Sequence, residues 1–390
     1  MTHNADSLSS LFRGSYGYAP LGVWSAPGRV NLIGEHTDYN DGFVFPFAIN
    51  RRTWLALGER EDRDIVVRTA LNTEVQVLSL DKLDPRHMRG WSAYVFGVIW
   101  ALREFGAPLE GRRGLNLMID SDVPIGAGLS SSAAVESAVA LALNDLWELG
   151  FDRPTLARVG QLAENQAVGA PTGIMDQSAS LLGQSDHGVF LDCRSLVAEV
   201  IPLGFAAADL ELLVIDTQVS HSHATGGYAA RRAACERAAE AMKVAALRDL
   251  DRSQLAALAE TVDEETFRRA RHIITENERV TATVATLRAE GPRAIGELLL
   301  ASHASMRDDF EISIPELDLA VSASMSAGAI GARMTGGGFG GAAIALVERD
   351  QLDRVSEAVE TAFAAAGYRA PRCFTVQADR GAQREQFSDN

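Results

Sequence analysis

Arg29, Glu35, His36 and Asp38 crowd four chemically capable side chains into ten residues of the run Arg29-Val-Asn-Leu-Ile-Gly-Glu-His-Thr-Asp. Leu32 and Ile33 interrupt them and must be buried, so the polar groups stand on an anchored segment, as they do in binding sites. Two carboxylates, an imidazole and the hydroxyl of Thr37 suit the hydroxyl groups of a sugar-like ligand. Metal binding by Glu35, His36 and Asp38 is the weaker reading, because adjacent residues on an extended chain point in opposite directions. The same stretch also reads as a plain turn, with Asn40-Asp41-Gly42 leading into a hairpin whose second strand runs from Phe43 to Ile49.

A second cluster lies at Asp122-Val-Pro-Ile-Gly-Ala-Gly-Leu-Ser-Ser-Ser-Ala-Ala-Val-Glu136. An alternating strand (Leu115, Leu117, Ile119) precedes it, and a nearly all-apolar helix from Ala133 to Leu149 follows. Glycines let backbone approach an anion closely, and the free N–H groups at a helix start attract negative charge. The stretch is therefore read as a phosphate cradle from Gly126 through Ala127, Gly128, Leu129, Ser130 and Ser131 to Ser132. The serines could cap the helix, and one could reach a phosphate-bound metal ion. A Walker-type loop is excluded, since it needs Gly-Lys and this chain has only Lys82 and Lys243. The dinucleotide fingerprint fails too, because Ser131 stands where its third glycine belongs. The structural alternative is a tight strand-to-helix turn with serine caps.

Two more carboxylates stand at element ends. Glu164 sits on a helix begun by Asp152 and Pro154, and Asp176 sits in the first turn of a helix opened by Gly173-Ile-Met. An acid there complements the helix dipole or serves as a fixed carboxylate at the mouth of a buried element, and position alone admits both. Gly336 to Gly341 holds five glycines in six positions, which regular structure does not need. It is either a hinge or a close approach of backbone to a ligand or to another domain.

The elements that must position these groups follow from pattern. A polar arm, expected to fray, leads to a short strand from Val23 to Pro27. Thr53 to Leu57, Ile65 to Thr69 and Val75 to Leu80 read as further strands of an antiparallel sheet. Trp91, Tyr94, Val95, Val98, Ile99, Leu102 and Phe105 recur at helical spacing, as a core stripe does. The segment from Leu182 to Phe205 is looser, and Leu210 to Asp216 is a clean strand, so a domain boundary is placed near 205, giving units 1–205 and 206–390. Long helices follow at Tyr228 to Leu247, Glu264 to Glu290 and Arg293 to Ser305. The chain then closes with a strand from Ala343 to Val347, a helix from Asp353 to Gly367, a strand from Cys373 to Gln377 and a polar tail. At 390 residues, two domains are the natural expectation. A formal charge of −16 argues against nucleic-acid or acidic-membrane partners. Three scattered cysteines without a metal-ligand spacing, and no apolar leader or membrane-length window, point to the cytoplasm.

Three separated stretches together resemble the GHMP kinase family: the Ala26-Pro-Gly-Arg region, Pro124-Ile-Gly-Ala-Gly-Leu-Ser-Ser-Ser-Ala, and Met334-Thr-Gly-Gly-Gly-Phe-Gly-Gly. Within it, Gly28-Arg-Val-Asn-Leu-Ile-Gly-Glu-His-Thr-Asp-Tyr-Asn looks like the galactokinase signature. Gly173-Ile-Met-Asp-Gln and His303-Ala-Ser-Met-Arg-Asp-Asp-Phe-Glu-Ile-Ser-Ile-Pro-Glu-Leu-Asp agree with it. The resemblance implies an α+β, two-domain architecture with the active site in the interdomain cleft, and transfer of the ATP γ-phosphoryl group to the C1 hydroxyl of D-galactose by a monomer. It further implies ATP phosphates on Gly126 to Ser132, Mg2+ at Ser132 and Glu164, and adenine at Trp91 and Tyr94. Galactose would lie against Glu35, His36, Thr37, Asp38, Gly173 and Tyr228, with Arg29 and Asp176 as the reacting pair. The stretch from His221 to Tyr228 is the least typical part. A sibling kinase acting on N-acetylgalactosamine, or a non-catalytic galactose sensor, shares the fold. The chemistry itself asks mainly for positioning and positive charge around the moving phosphoryl group. With no lysine at the loop, magnesium and Arg29 must supply that charge.

Overall fold

The computed structural model of the chain describes residues 3–219 and 224–387, so His221 to His223 of the least typical stretch lie outside the described residues. The N-terminal arm is a helix, α1 (Ala5–Tyr16), because Asn4 and Ser7 cap it reciprocally and Leu8 and Phe12 give it an apolar face. That face packs on Val23, Ala56 and Met118, so the expected fraying is overturned by tertiary burial.

Strand β1 (Gly22–Asn31) runs on past Pro27 through a bulge between Pro27 and Arg29, so the expected short strand ending at Pro27 is the first half of a longer one. After a short β2 (Phe43–Val44), the strand expected to end at Ile49 and the one expected from Thr53 merge into one, β3 (Pro46–Glu59). The polar Asn50-Arg51-Arg52 between them mimics a break. Arg52, however, is buried by hydrogen bonds to Ser25 and to the carbonyls of Arg380 and Gly381. Then come β4 (Asp64–Thr69), β5 (Val75–Ser79), α2 (Ser92–Glu104) and β6 (Leu115–Ser121). β4 pairs with β6 in parallel, against the antiparallel expectation, because α2 lies on the connection between them and returns the chain in the same direction. β6 is buried on both faces: Leu115, Leu117 and Ile119 join the core under α2, and Met118 faces α1.

Next are α3 (Ser131–Leu146), α4 (Arg153–Ala163), a π-helical turn at Glu164–Val168 and α5 (Met175–Leu182). The loose segment before residue 205 is in fact a hairpin, β7 (His187–Asp192) and β8 (Ala198–Pro202), which extends β2 into a three-stranded sheet. Beyond it come β9 (Leu210–Asp216), α6 (Ala224–Ala241), α7 (Leu255–Thr261), α8 (Glu264–Glu290), α9 (Gly296–Asp308) and α10 (Pro315–Ser326). β10 (Gly331–Thr335), β11 (Ala342–Glu348), α11 (Leu352–Ala366) and β12 (Arg372–Val376) complete a four-stranded sheet in the order β10-β11-β9-β12. The polar tail is also ordered: β13 (Gln383–Glu385) pairs with β1 and edges the six-stranded sheet β13-β1-β3-β6-β4-β5. Its side chains alternate between solvent and a bond from Ser25 to Glu385, which is why its polarity concealed a strand. One apolar cluster fills the space under the first sheet and another that under the second. A third joins them through Val30, Leu32, Leu129, Val214, Val280 and Ile344. The mixed α+β architecture with a cleft over this joint agrees with expectation.

Candidate active site

One cavity of about 670 Å³ opens over that joint. It is lined by Arg29, Glu35, His36, Asp38, Trp91, Tyr94, Gly126, Gly128, Leu129, Ser130, Ser131, Ser132, Glu164, Gly173, Asp176 and Tyr228. Two expected residues are turned away from it. The Thr37 hydroxyl donates to the carbonyls of Gly34 and Phe43, at 3.0 and 2.6 Å, and so closes the turn from inside. The Ala127 side chain is buried among Val123, Leu129 and Ala134, so its contribution is limited to backbone.

The glycine loop explains its own composition. Gly126, Gly128 and Ser130 are all left-handed, with φ of 79°, 72° and 57°, so every second residue reverses the backbone, the alternation from which anion-binding nests are built. Ser130 leads into α3 but makes no capping bond, contrary to the serine-cap reading. Its hydroxyl donates instead to the Asp176 carboxylate. Gly28 lets β1 lie against this loop, since a Cβ there would sit 2.6 Å from the Leu129 carbonyl oxygen. The Arg29 amide in turn donates to that oxygen at 3.1 Å.

Arg29 lies at the end of β1 and is nearly fully buried. Its Nε and Nη2 donate to the two oxygens of Asp176 at 2.8 and 3.0 Å, and its Nη1 donates to the Gly128 carbonyl at 2.5 Å. Asp176 keeps 26% of its side chain exposed, toward the cavity. Behind the loop, Ser132 Oγ donates to Glu164 Oε1 at 3.2 Å. Thr172 and Gln177 donate to the other Glu164 oxygen at 2.8 and 3.0 Å. Burial and then the charge of Asp176 push the Glu164 carboxyl up, and these three donors oppose that. No group of three or more His, Cys, Asp or Glu side chains among the described residues is arranged to hold a metal by itself. One carboxylate and one hydroxyl are nevertheless oxygen donors of the kind a magnesium ion would take alongside phosphates and water.

At the other end the groups are locked in place. Glu35 is fully buried, its carboxylate held by Arg333 of β10 and by the Gly336 amide at 3.0 Å. Burial pushes its carboxyl up, while the Arg333 guanidinium and the Gly336 N–H hold it down. His36 has a left-handed backbone, φ 63°. Its Nδ1 faces the Tyr39 hydroxyl at 2.8 Å, its Nε2 faces the Gly337 carbonyl at 3.2 Å, and its ring lies between Tyr228 and Phe310. Burial lowers its pKa to about 3, so the ring is neutral, with Nε2 carrying the hydrogen that the carbonyl accepts. Asp38 accepts from the Tyr39 and Met175 amides, and burial followed by Asp176 pushes its carboxyl up to about 6. Gly173 is a steric requirement, since a Cβ there would fall 1.9 Å from Asp38 Oδ2.

Several residues of the site were not singled out from sequence. Arg333 stands just before the Met334 motif without a signal of its own, and Thr172 and Gln177 are visible only as neighbours of Gly173 and Asp176. Leu71 and Ile125 had no signal beyond being apolar residues in loops; both stay well exposed, Ile125 at 71%, and line the same cavity as Trp91 and Tyr94. The glycine run 336–341 proves to be a close backbone approach. A Cβ at Gly336 would meet the Gly128 carbonyl at 3.0 Å, and the Gly337 carbonyl meets His36.

A phosphate-type loop, an Arg-Asp pair at the cavity wall and a cleft over two joined sheets define an ATP-dependent kinase of the GHMP class. The patterns described as GHMP kinases N terminal domain and GHMP kinases C terminal match residues 93–184 and 283–365, and the galactokinase galactose-binding signature matches residues 10–59. A galactokinase of Streptomyces coelicolor is 51% identical over 383 residues, covering 97% of this chain and 98% of that one. One of Mycobacterium tuberculosis is 45% identical over 359 residues, covering 92% and 98%. The crystal structure of Lactococcus lactis galactokinase complexed with galactose superposes with a TM-score of 0.90 at 34% identity, covering 97% and 98%. A mevalonate kinase of Methanococcus jannaschii, at 16% identity and TM-score 0.65, shares the fold. The chain belongs to the galactokinase family.

Proposed function

We propose that the protein transfers the γ-phosphoryl group of ATP to the C1 hydroxyl of D-galactose, the entry step of galactose catabolism, and that the cleft residues divide the work as follows. The observation that carries this reading is the Asp176 carboxylate, fixed by Arg29 and Ser130 at the junction of the glycine loop and the Glu35-to-Asp38 segment. The glycine loop receives the ATP phosphates on its backbone N–H groups. Ser132 and Glu164 hold the magnesium ion, which offsets phosphate charge when bound. Arg29 is the sole Lys or Arg among the lining residues, so it is the protein's own cation for the transferred group. The apolar end at Trp91, Tyr94, Leu71 and Ile125 takes the adenine, and Asp38, His36, Gly173, Tyr228 and the edge of Glu35 surround the sugar. Asp176 orients the attacking hydroxyl and accepts its proton, and Arg29 holds that carboxylate in place through its two-nitrogen fork.

A division near residue 205, with the tail strand returning to the first unit, fits the two separate cores. In this reading the acting unit is a monomer. Among the described residues no helix is long and apolar enough to cross a membrane and all three cysteines are free thiols, in keeping with action in the cytoplasm. The test is ADP release from Mg-ATP across a panel of free sugars. D-galactose is expected to react at carbon 1 and D-glucose hardly at all, because an inverted hydroxyl leaves buried polar groups unpaired at about 1–3 kcal/mol each. Equal rates on galactose and glucose would overturn the assignment. Preference for N-acetylgalactosamine would move it to a sibling kinase, and sugar binding without turnover would make the protein a sensor.

A further inference from the structure

The side chains behind Glu164 form a buried array that the reaction as described above does not use. Gln177 of α5 is fully buried, and its single amide nitrogen donates both to Glu164 Oε2 at 3.0 Å and to Glu136 Oε2 at 2.9 Å. Glu136, on α3, is fully buried as well, and no cation among the described residues bonds to it. Its other oxygen and the Gln177 carbonyl oxygen have no hydrogen-bond partner. A buried carboxyl and a buried amide left half-satisfied are costly, and fold stability alone would be served better by apolar residues of the same shape.

The backbone around the array is adapted to it. Gly160 lies inside α4, where glycine weakens a helix relative to alanine, yet a Cβ there would stand 2.8 Å from Gln177 Cγ and 3.5 Å from Glu136 Oε2. Gly97 inside α2 has the same relation to the π-helical turn, with a Cβ 2.8 Å from that of Ala167. That turn begins at Glu164, and such single π-turns concentrate at functional sites. Two helices thus accept unfavourable glycines so that Glu164 and Gln177 can reach one another.

We propose that Gln177, itself held by Glu136, is a positioning residue that fixes the Glu164 carboxylate for the divalent metal of the nucleotide complex. This rests on the reading of Glu164 as a metal-binding group. Gln177 supplies the donor that selects one Glu164 oxygen and leaves the other facing Ser132 and the cavity, and Glu136 prevents the long amide from rotating away. Such supporting partners of metal ligands typically change metal affinity about 10- to 100-fold when removed.

The experiment is Mn2+ binding to the complex with a non-hydrolysable ATP analogue, followed by electron paramagnetic resonance, with calorimetric galactose titration as a control for the fold. Gln177→Leu keeps a bulky side chain in the core and removes the donor, and should weaken Mn2+ binding by about tenfold while galactose affinity stays within about twofold. Glu136→Leu should do the same more weakly, and Glu136→Gln, which keeps an acceptor, should restore binding. If Gln177→Leu does not fold, Gly160→Ala displaces the same side chain from the α4 side and is read in its place. Parental Mn2+ affinity in Gln177→Leu or Gly160→Ala, beside a loss in Glu164→Ala, overturns the proposal and leaves Glu164 as the metal group. Parental affinity in Glu164→Ala as well overturns both.

Discussion

Arg29 and Asp176 face each other as a parallel fork, Nε and Nη2 of the guanidinium at 2.8 and 3.0 Å from the two carboxylate oxygens. The third nitrogen of the same guanidinium holds the Gly128 carbonyl of the glycine loop. One planar cation therefore fixes the distance between the carboxylate and the phosphate cradle. Arg29→Lys keeps the charge but cannot satisfy three acceptors in one plane. It should lower turnover by about 100-fold, the scale of a misplaced reacting group, with sugar affinity nearly unchanged. Stopped-time ADP assays beside calorimetry check this, and a lysine variant with parental turnover would show that charge alone suffices.

Ser132→Ala and Glu164→Ala should each raise the magnesium concentration needed for half-maximal rate and lower the maximal rate. Phosphate oxygens and water would have to replace one ligand position in each case. Circular dichroism should be unchanged for Ser132→Ala, whose hydroxyl makes a single bond at 3.2 Å to Glu164. A magnesium titration that superposes on the parent's for both variants is the adverse result.

How much of this was legible beforehand depended on whether a local pattern carried the information. The glycine turn, Asp152 ahead of α4 and Asp176 in the first turn of α5 each advertise their position within a few residues, and each stands where the pattern places it. α1 and β13 were not legible, because what orders them is packing on Met118 and pairing with β1, contacts more than a hundred residues away in sequence. The break expected inside β3 came from Arg51 and Arg52, where polarity reports a hydrogen-bonded anchor in place of a turn. Arg333 shows the same limit at the site. Nothing in its neighbourhood says that an arginine with no exposure will meet Glu35 from the opposite sheet.

That buried pair should be costly to break. Arg333 also donates to the carbonyls of Asn31 and Leu32 at 3.2 and 2.9 Å, so it ties the sugar-facing segment to β10. Arg333→Met leaves Glu35 buried without its cation, and losing one partner of such a pair destabilises by about 3–5 kcal/mol. Denaturant unfolding of Arg333→Met and of the double variant Arg333→Met/Glu35→Gln measures it. The double variant should recover part of the loss, and equal stability of the two would remove the uncompensated carboxylate as the cause.

Asp38 gives the site a pH dependence of definite sign. Its folded-state pKa, about 6, lies above the ordinary value of 3.8, with burial as the main cause and Asp176 second. Its contribution to stability is therefore complete below about pH 4 and is lost as pH rises through 6. Asp38→Asn removes the buried charge, so its melting temperature should exceed the parent's near pH 7.5, and the advantage should shrink toward pH 4.5 and vanish below about pH 4. Galactose affinity should fall at pH 7.5, where the amide offers the sugar hydroxyls a weaker acceptor than the carboxylate. A variant less stable than the parent at pH 7.5 would count against the buried-charge account.

Asp176→Asn separates binding from chemistry. The amide keeps the size of the carboxylate and one acceptor oxygen, and Asp38, His36 and Tyr228 remain to hold the sugar, so galactose should bind within a few fold of the parent. What disappears is the group able to take the hydroxyl proton, and general-base catalysis is typically worth about 10²–10⁴-fold. The fork from Arg29 is halved as well, because an amide nitrogen cannot accept. That frees the guanidinium to shift from its place beside Gly128 and adds to the defect. If Asp176 served only to complement the start of α5, the neutral amide would cost no more than a weak dipole term of about 0.3–1 kcal/mol in stability, and turnover would hardly move. The two accounts differ by orders of magnitude in the same measurement. Calorimetric galactose titration beside single-turnover kinetics on the folded variant decides between them, and near-parental turnover with intact binding would remove Asp176 from the chemistry.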